Sequence, residues 1–291
     1  MAANAYEVVA QKIIKQLESG TAPWRKPWVS MGYKPLSLSS KKAYRGVNHW
    51  LLSFASMEEG YESPWWGTFK QIKELGGTVR KGSKGTAVVL WRELDNAVED
   101  NSGELTTKKS ILMRYFTVFN AEQADWDSGA PEYEKPVQRT IEQSCLNASV
   151  TVGDYLARAG APSIGTGGDR AFYSPIRDHI QVPQISDFAS TEEYFATCFH
   201  EIAHSTGHKD RLNRDGVVES HSFGDELYSE EELIAEFTSA FLCSHTGLSP
   251  STLDNNASYI ASWHKVLKND PKVLVRAVGK AQKASDFILG L

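Results

Sequence analysis

Cysteine is almost missing from this chain: Cys145, Cys198 and Cys243 are the only three in 291 residues, and none forms a CxxC spacing. A sparse, odd set excludes a disulfide framework and points to reduced thiols in a cytoplasmic protein, with the three acting as small core residues. Long apolar runs are missing as well. Nothing approaches the roughly 18 apolar residues that would span a bilayer, so no membrane partner is expected. The opening MAANAYEVVAQKIIKQLESG has no apolar signal core; its Val9, Ile13, Ile14 and Leu17 recur at helical spacing and predict an amphipathic helix over Tyr6–Glu18. Internal repeats are absent too.

What the chain does have is unevenly distributed. Up to Leu94 there are 14 Lys/Arg against 7 Asp/Glu, whereas the whole chain carries a net charge of −5. Six of the eight tryptophans fall in that same first third. A basic, Trp-rich beginning and an acidic remainder predict two modules with different partners. The first is expected over residues 1–126, with helices at Asn48–Met57 and Thr68–Leu75 and strands in TAVVLW and LMRYFTVFN. Between those strands, DNAVEDNSGELTTKK is expected to form a mobile, acidic hairpin tip. Residues 127–140, with their prolines, glycine and charge, read as a linker. The second module, 141–291, is expected to begin with a helix to about Ala159. A short hairpin (DRAFYSP, DHIQVP), a helix Thr191–Ser205, a helix Ser229–Ser244 and a C-terminal helical pair follow. The fold class is therefore α+β, in two domains.

The helix Thr191–Ser205 ends in HEIAHSTGHKD. In a helix His200 and His204, four apart, share one face about one turn apart and can both reach a single ion. Glu201 beside them is placed to act as general base on a metal-bound water. The third ligand has several candidates. His208 would lie about 12 Å along the helix axis from His200, too far for one ion if the helix ran on, and Gly207 is expected to stop it. Asp210 has metzincin spacing, with Asp for the usual third His. Downstream, YSEEELIAEFTSAFL places Glu232 and Glu236 on one helical face. With Glu232 as ligand, Glu236 can accept the other ring proton of a ligating histidine. That is the gluzincin arrangement, and Glu231 and Glu236 remain alternative ligands. Tyr228 and His221 are candidate donors to a developing oxyanion. Such a donor set suits Zn²⁺, with Mn²⁺ or Co²⁺ also acceptable.

In the first module PWRKPW, KKAYRGVNHW, SPWWGTFKQ and VRKGSKG interleave rings and cations. Rings stack on unpaired bases and cations track phosphates, which predicts non-specific binding of single-stranded DNA. The candidate residues are Trp24, Arg25, Lys26, Trp28, Lys41, Lys42, Tyr44, Arg45, Trp65, Lys70, Arg80, Lys81 and Lys84, although a domain of this size needs some of its tryptophans for its core.

Taken together, GTAPWRKPW, YRGVNHWLL, WGTFKQIKELGGTVRKGSKGT and YFTVFNAEQ, with GGDRAFYSPIRDHIQVP, FHEIAHSTGHKDRLNR and EELIAEFTSAFL, resemble the ArdC-type antirestriction proteins of conjugative plasmids over nearly the whole chain. The resemblance implies an N-terminal α+β domain that binds single-stranded DNA. It also implies a C-terminal zincin-like (gluzincin-type) metallopeptidase domain, mainly helical with a small β-sheet. Its implied role is protection of incoming plasmid DNA during conjugation, with a host restriction component as one conceivable protein substrate. His200, His204 and an acid of EELIAE would hold the metal and Glu201 would be catalytic. The alternative is a DNA-coating protein whose metal domain is structural or regulatory.

Overall fold

The structure, a computed structural model, describes Gln11, Ile14, Glu18 and residues 34–99, 105–133, 139–218, 226–249, 257–270 and 272–291. The three described positions of the expected first helix are helical, and the rest of that helix lies outside the described residues, as do Trp24, Arg25, Lys26, Trp28 and His221.

Beyond those first helical positions, the described residues of the first module form a four-stranded sheet, a separate strand pair and two α-helices. Strands β1 (Leu36–Ser37), β2 (Trp65–Thr68), β4 (Thr86–Glu99) and β5 (Leu105–Asn120) lie in the order β1-β2-β5-β4. A separate pair joins β3 (Gly77–Val79) to β6 (Ala124–Trp126). Between β4 and β5 the register runs without a break from Thr86↔Val118 to Glu99↔Leu105. The acidic stretch expected as a loose tip is thus mostly ladder. Once two strands are in register, continued backbone pairing satisfies each amide and carbonyl in turn, and this overrides the polar composition. Helix α1 (Gly46–Glu59) stops at Gly60, whose φ of +72° is a left-handed cap that glycine adopts without strain. It guards the sheet edge. The Asn48 amide donates to the Val89 carbonyl at 2.6 Å and accepts from the Val89 N–H at 2.7 Å, imitating a neighbouring strand on β4. The short α2 (Phe69–Glu74) begins at a capping box, Thr68 with Gln71.

The second module opens with α3 (Ile141–Leu156), capped by the Thr140 hydroxyl accepting from the Gln143 N–H. A three-stranded sheet follows, in the order β7 (Ser163–Thr166), β9 (His179–Val182), β8 (Phe172–Ser174). The β8–β9 hairpin was legible in the sequence; the parallel β7 was not. Helix α4 spans Thr191–Ser205 as expected, because Ser190 accepts from the Glu193 N–H and Glu192 and Glu193 favour its positive end. A single turn, α5 (Asp215–Val218), leads towards α6 (Glu226–Thr246), then α7 (Ala257–Asn269) and α8 (Lys272–Leu289). Helix α6 begins earlier than its apolar pattern suggested, so Tyr228 lies within its first turn instead of before it.

The largest core cluster does not respect the division into modules. Val47, Trp50 and Leu51 of α1 and Val89 of β4 join Leu233, Phe237 and Phe241 of α6, Trp263 of α7 and Leu274 and Ala277 of α8. Helix α6 runs buried through the middle, with Leu233, Ala235, Phe237 and Leu242 all inaccessible, and α8 lies close through Ala277, Ala281 and Ala284. Each fully buried side chain the size of Phe237 contributes about 2–3 kcal/mol. Trp50, Trp66 and Trp263 are all core residues. No helix among the described residues is long and apolar enough to cross a membrane.

Candidate metal centre and basic face

Helices α4 and α6 bring His200, His204 and Glu232 together. One ligand atom from each lies within 4.8 Å of the others, and the three form the one such cluster among the described residues. The two Nε2 atoms are 3.1 Å apart. Each is 3.6 Å from one oxygen of Glu232. Burial alone would lower the His200 pKa, but the carboxylates of Glu232, Glu201 and Glu236 outweigh it and raise it to about 9. Burial would likewise raise Glu232; His204, His200 and a hydrogen bond from Tyr228 bring it to about 2 instead. An ionised carboxylate thus faces an imidazole that carries a proton, and a divalent cation bound between them would displace that proton. Two imidazoles and a carboxylate are the chemistry of a catalytic divalent site with an open position.

The remaining acids divide cleanly. Glu231, adjacent to Glu232 on α6, faces the other edge of His204: its Oε1 is 3.2 Å from Nδ1. Glu236 has Oε1 3.7 Å from His200 Nδ1. Within the EEE run, Glu232 thus lies against the Nε2 atoms of both rings, whereas Glu231 and, further along α6, Glu236 lie against the Nδ1 atoms. Asp210 lies elsewhere, with its side chain 74% exposed and paired to His208 at 3.6 Å. His208 Nδ1 accepts from the Asp210 backbone N–H, outside the donor cluster. Gly207 follows the helix end because space is short, not because the backbone turns left-handed. A Cβ there would fall 2.5 Å from Val217 Cγ2 and 3.0 Å from Arg214 Nη2. Glu201 is buried, and its charge acts on both His200 and Cys198.

The basic residues of the first module have separate fates. Lys42, Lys70, Lys81 and Lys84 are exposed, Lys70 alongside Glu74 at 3.7 Å. Lys41, with φ of +58°, sets its ammonium 4.6 Å from the centre of the Trp65 ring. Trp65 is half-buried, donating its indole N–H to the Glu132 carbonyl. Tyr44 packs against the small core of Leu52, Trp66 and Val118. Arg45 is ion-paired with Asp286 of α8, and Arg80 is held by Asp125 and the Glu122 carbonyl. The latter three are engaged by the protein itself.

Comparison with known proteins gives this geometry a lineage. Residues 3–119 match the family described as the N-terminal domain of anti-restriction factor ArdC, and residues 152–280 match a zincin-like metallopeptidase family. The crystal structure of antirestriction ArdC from plasmid R388, metal-free, is 38% identical and superposes with a TM-score of 0.74 over 98% of this chain and 96% of that one. The chain belongs to the ArdC family.

The same R388 ArdC has also been solved in an Mn(II)-bound form, 36% identical, TM-score 0.74, with 99% of this chain and 98% of that one covered. The uncharacterized protein y4eC of Sinorhizobium fredii is 34% identical over 98% of this chain and 91% of its own length. The DNA primase TraC of Escherichia coli is 38% identical over 98% of this chain, which spans only 20% of that protein. Alongside these ArdC features stands a residue that the sequence did not single out, Arg214. Its Nε and Nη2 grip Glu231 at 2.8 and 2.6 Å, and its other contacts are Thr206 Oγ1 (2.7 Å) and the Ala203 carbonyl (2.8 Å) at the end of α4. The run DRLNR offered no periodicity that would mark the second arginine over the first.

Proposed function

We propose that this ArdC-family chain is a divalent-metal-dependent peptidase joined to a single-stranded DNA binder, acting in the cytoplasm in antirestriction. The observation that carries the enzymatic half is the convergence of His200, His204 and Glu232 beside Glu201. Zn²⁺ is the ion we assign, and the Mn(II)-bound relative supports Mn²⁺ as an occupant too. When bound, such an ion polarises a peptide carbonyl and acidifies water.

The chain's own residues do the rest. Glu231, fixed by Arg214, accepts the Nδ1 proton of His204 and so keeps the Nε2 lone pair facing the metal. Glu236 stands beside Nδ1 of His200 to do the same there. Glu201 takes a proton as general base, worth about 10²–10⁴ in rate. Tyr228, whose hydroxyl bonds Glu232, is the donor we assign to charge developing on a substrate carbonyl oxygen.

The DNA-binding half rests on the exposed cations Lys41, Lys42, Lys70, Lys81 and Lys84 and on Trp65, with Trp24, Arg25, Lys26 and Trp28 of the preceding segment. We place the boundary between the two modules in residues 127–140, which fall between the two family matches. The target is incoming plasmid DNA, and a host restriction component is the protein substrate this reading implies. The test compares plasmid protection by Glu201→Ala with protection by Lys41→Gln/Lys42→Gln. Loss in both supports the joined mechanism. Full protection by Glu201→Ala would overturn its proteolytic half and leave DNA coating as the mechanism.

A further inference from the structure

Helix α6 carries a second site at its other end. His245 lies thirteen residues beyond Glu232, about 20 Å along the axis at 1.5 Å per residue. Beside it is a cavity of about 670 Å³, bounded by Lys34 ahead of β1, Arg139 ahead of α3, Arg158 after α3, and His245, with Asp154 its one acid. Among the described residues no carboxylate pairs directly with Lys34, Arg139 or Arg158, while the charge of Asp286 acts on Lys34 from nearby. Arg139 donates to the His245 carbonyl at 3.1 Å. Arg158 donates to the carbonyls of Phe287 and Ile288 at 2.6 and 2.7 Å. Burial and then Arg45 lower the Lys34 pKa, with Asp286 opposing them, while burial, Lys34 and Arg139 lower that of His245 and so keep its ring neutral at neutral pH. A concave space lined by Lys34, Arg139 and Arg158 against the single carboxylate of Asp154 favours an anion.

The occupant follows from position and wall chemistry. Lys34 begins the segment that carries Lys41, Lys42 and Arg45, and the charge of Arg45 acts on it, so the cavity adjoins this basic segment at Arg45. Its apolar wall is aliphatic, with Leu146 and Val150, and offers phosphate contacts without a ring to stack on. We infer that this cleft holds phosphate groups of the single strand, extending the DNA path from the first module across to α3 and the end of α6. This deepens the single-stranded DNA reading and rests on it.

The test is fluorescence anisotropy with labelled oligothymidylate and the full chain, wild type against Lys34→Gln and Lys34→Gln/Arg139→Gln, at several salt concentrations. Each phosphate contact on a single strand contributes about 0.7 to the slope of log K against log salt. The double variant is expected to lose about 1.4 from that slope, and each lost contact weakens binding about 5-fold at 0.1 M salt. Among the described residues Lys34 makes no hydrogen bond that its replacement would break, so the single variant carries the result if the double one melts early. An unchanged slope in Lys34→Gln, together with a reduced one in Lys41→Gln/Lys42→Gln, overturns the cleft and leaves the DNA reading standing. No binding by the wild type overturns both. If oligoglutamate binds the wild type but not Lys34→Gln while oligothymidylate binds both alike, the cleft belongs to an acidic peptide and the inference fails.

Discussion

Arg214 holds both carboxylate oxygens of Glu231, and Glu231 in turn touches His204 on the side away from its neighbour His200. Both partners of the pair are buried, with side chains 5% exposed. Removing one strands the other's charge, at a cost of about 3–5 kcal/mol. Because the same guanidinium also caps the Ala203 carbonyl, one residue ties the end of α4 to α6.

Arg214→Met and Glu231→Gln should therefore each weaken divalent-metal binding about 10–100-fold, the usual effect of losing a group that orients a ligand. Isothermal titration with Zn²⁺ and Mn²⁺ measures it. Asp210→Ala serves as the comparison and should bind metal as the wild type does; a large loss there would return Asp210 to the ligand set.

Glu201→Gln should retain metal and stability while losing about 10²–10⁴ of any peptidase rate. Metal content by atomic absorption and turnover of a casein-type substrate separate the two effects. Glu232→Ala should lose both.

His49 of α1 is buried with its ring 6.0 Å from Phe241 of α6, and burial followed by the Lys34 charge lowers its pKa to about 3. The unfolded chain takes up that proton below about 6.5, the folded one only near 3, so acid favours unfolding throughout that window. The contribution of His49 should fall by up to about 1.4 kcal/mol per pH unit as pH drops from 6 to 3. Urea melts of wild type and His49→Gln across that range measure it; parallel curves would refute the assignment.

Trp65 carries Lys41 over one of its faces. A base that stacks there must displace the ammonium or lie against it. Trp65→Leu should weaken oligothymidylate binding by about 1–3 kcal/mol, read by anisotropy. Trp66→Leu, a core change, should lower stability and leave affinity per folded molecule unaltered.

The parts of this molecule legible in its sequence are those set by local spacing. The α4 boundaries follow from a Ser cap and an apolar stripe, and the His200–His204 pair from one turn of helix. Glu232 was favoured because four residues separate it from Glu236. The role of Glu231 was not legible, since it depends on Arg214, seventeen residues away and ahead of α5. Strand β7 escaped because a parallel partner leaves no hairpin signal, and SIGT has little apolar content. Arg45, Arg80 and Tyr44 matched the pattern of a binding face, yet their partners Asp286, Asp125 and Val118 are distant in sequence. Composition could not say which cations the protein had already claimed.

The presence of Trp50 and Leu51 among the side chains of α6 to α8 has a consequence for how such chains can be exchanged between plasmids. A peptidase-like half cut loose at residue 140 would present a sticky wall where α1 had been, and a transplanted first half would carry bare tryptophan to water. Recombination that swaps whole halves must preserve the mating surfaces or pay in aggregation. Inheritance of the two halves is therefore coupled by packing, whatever the sequence of the connecting segment.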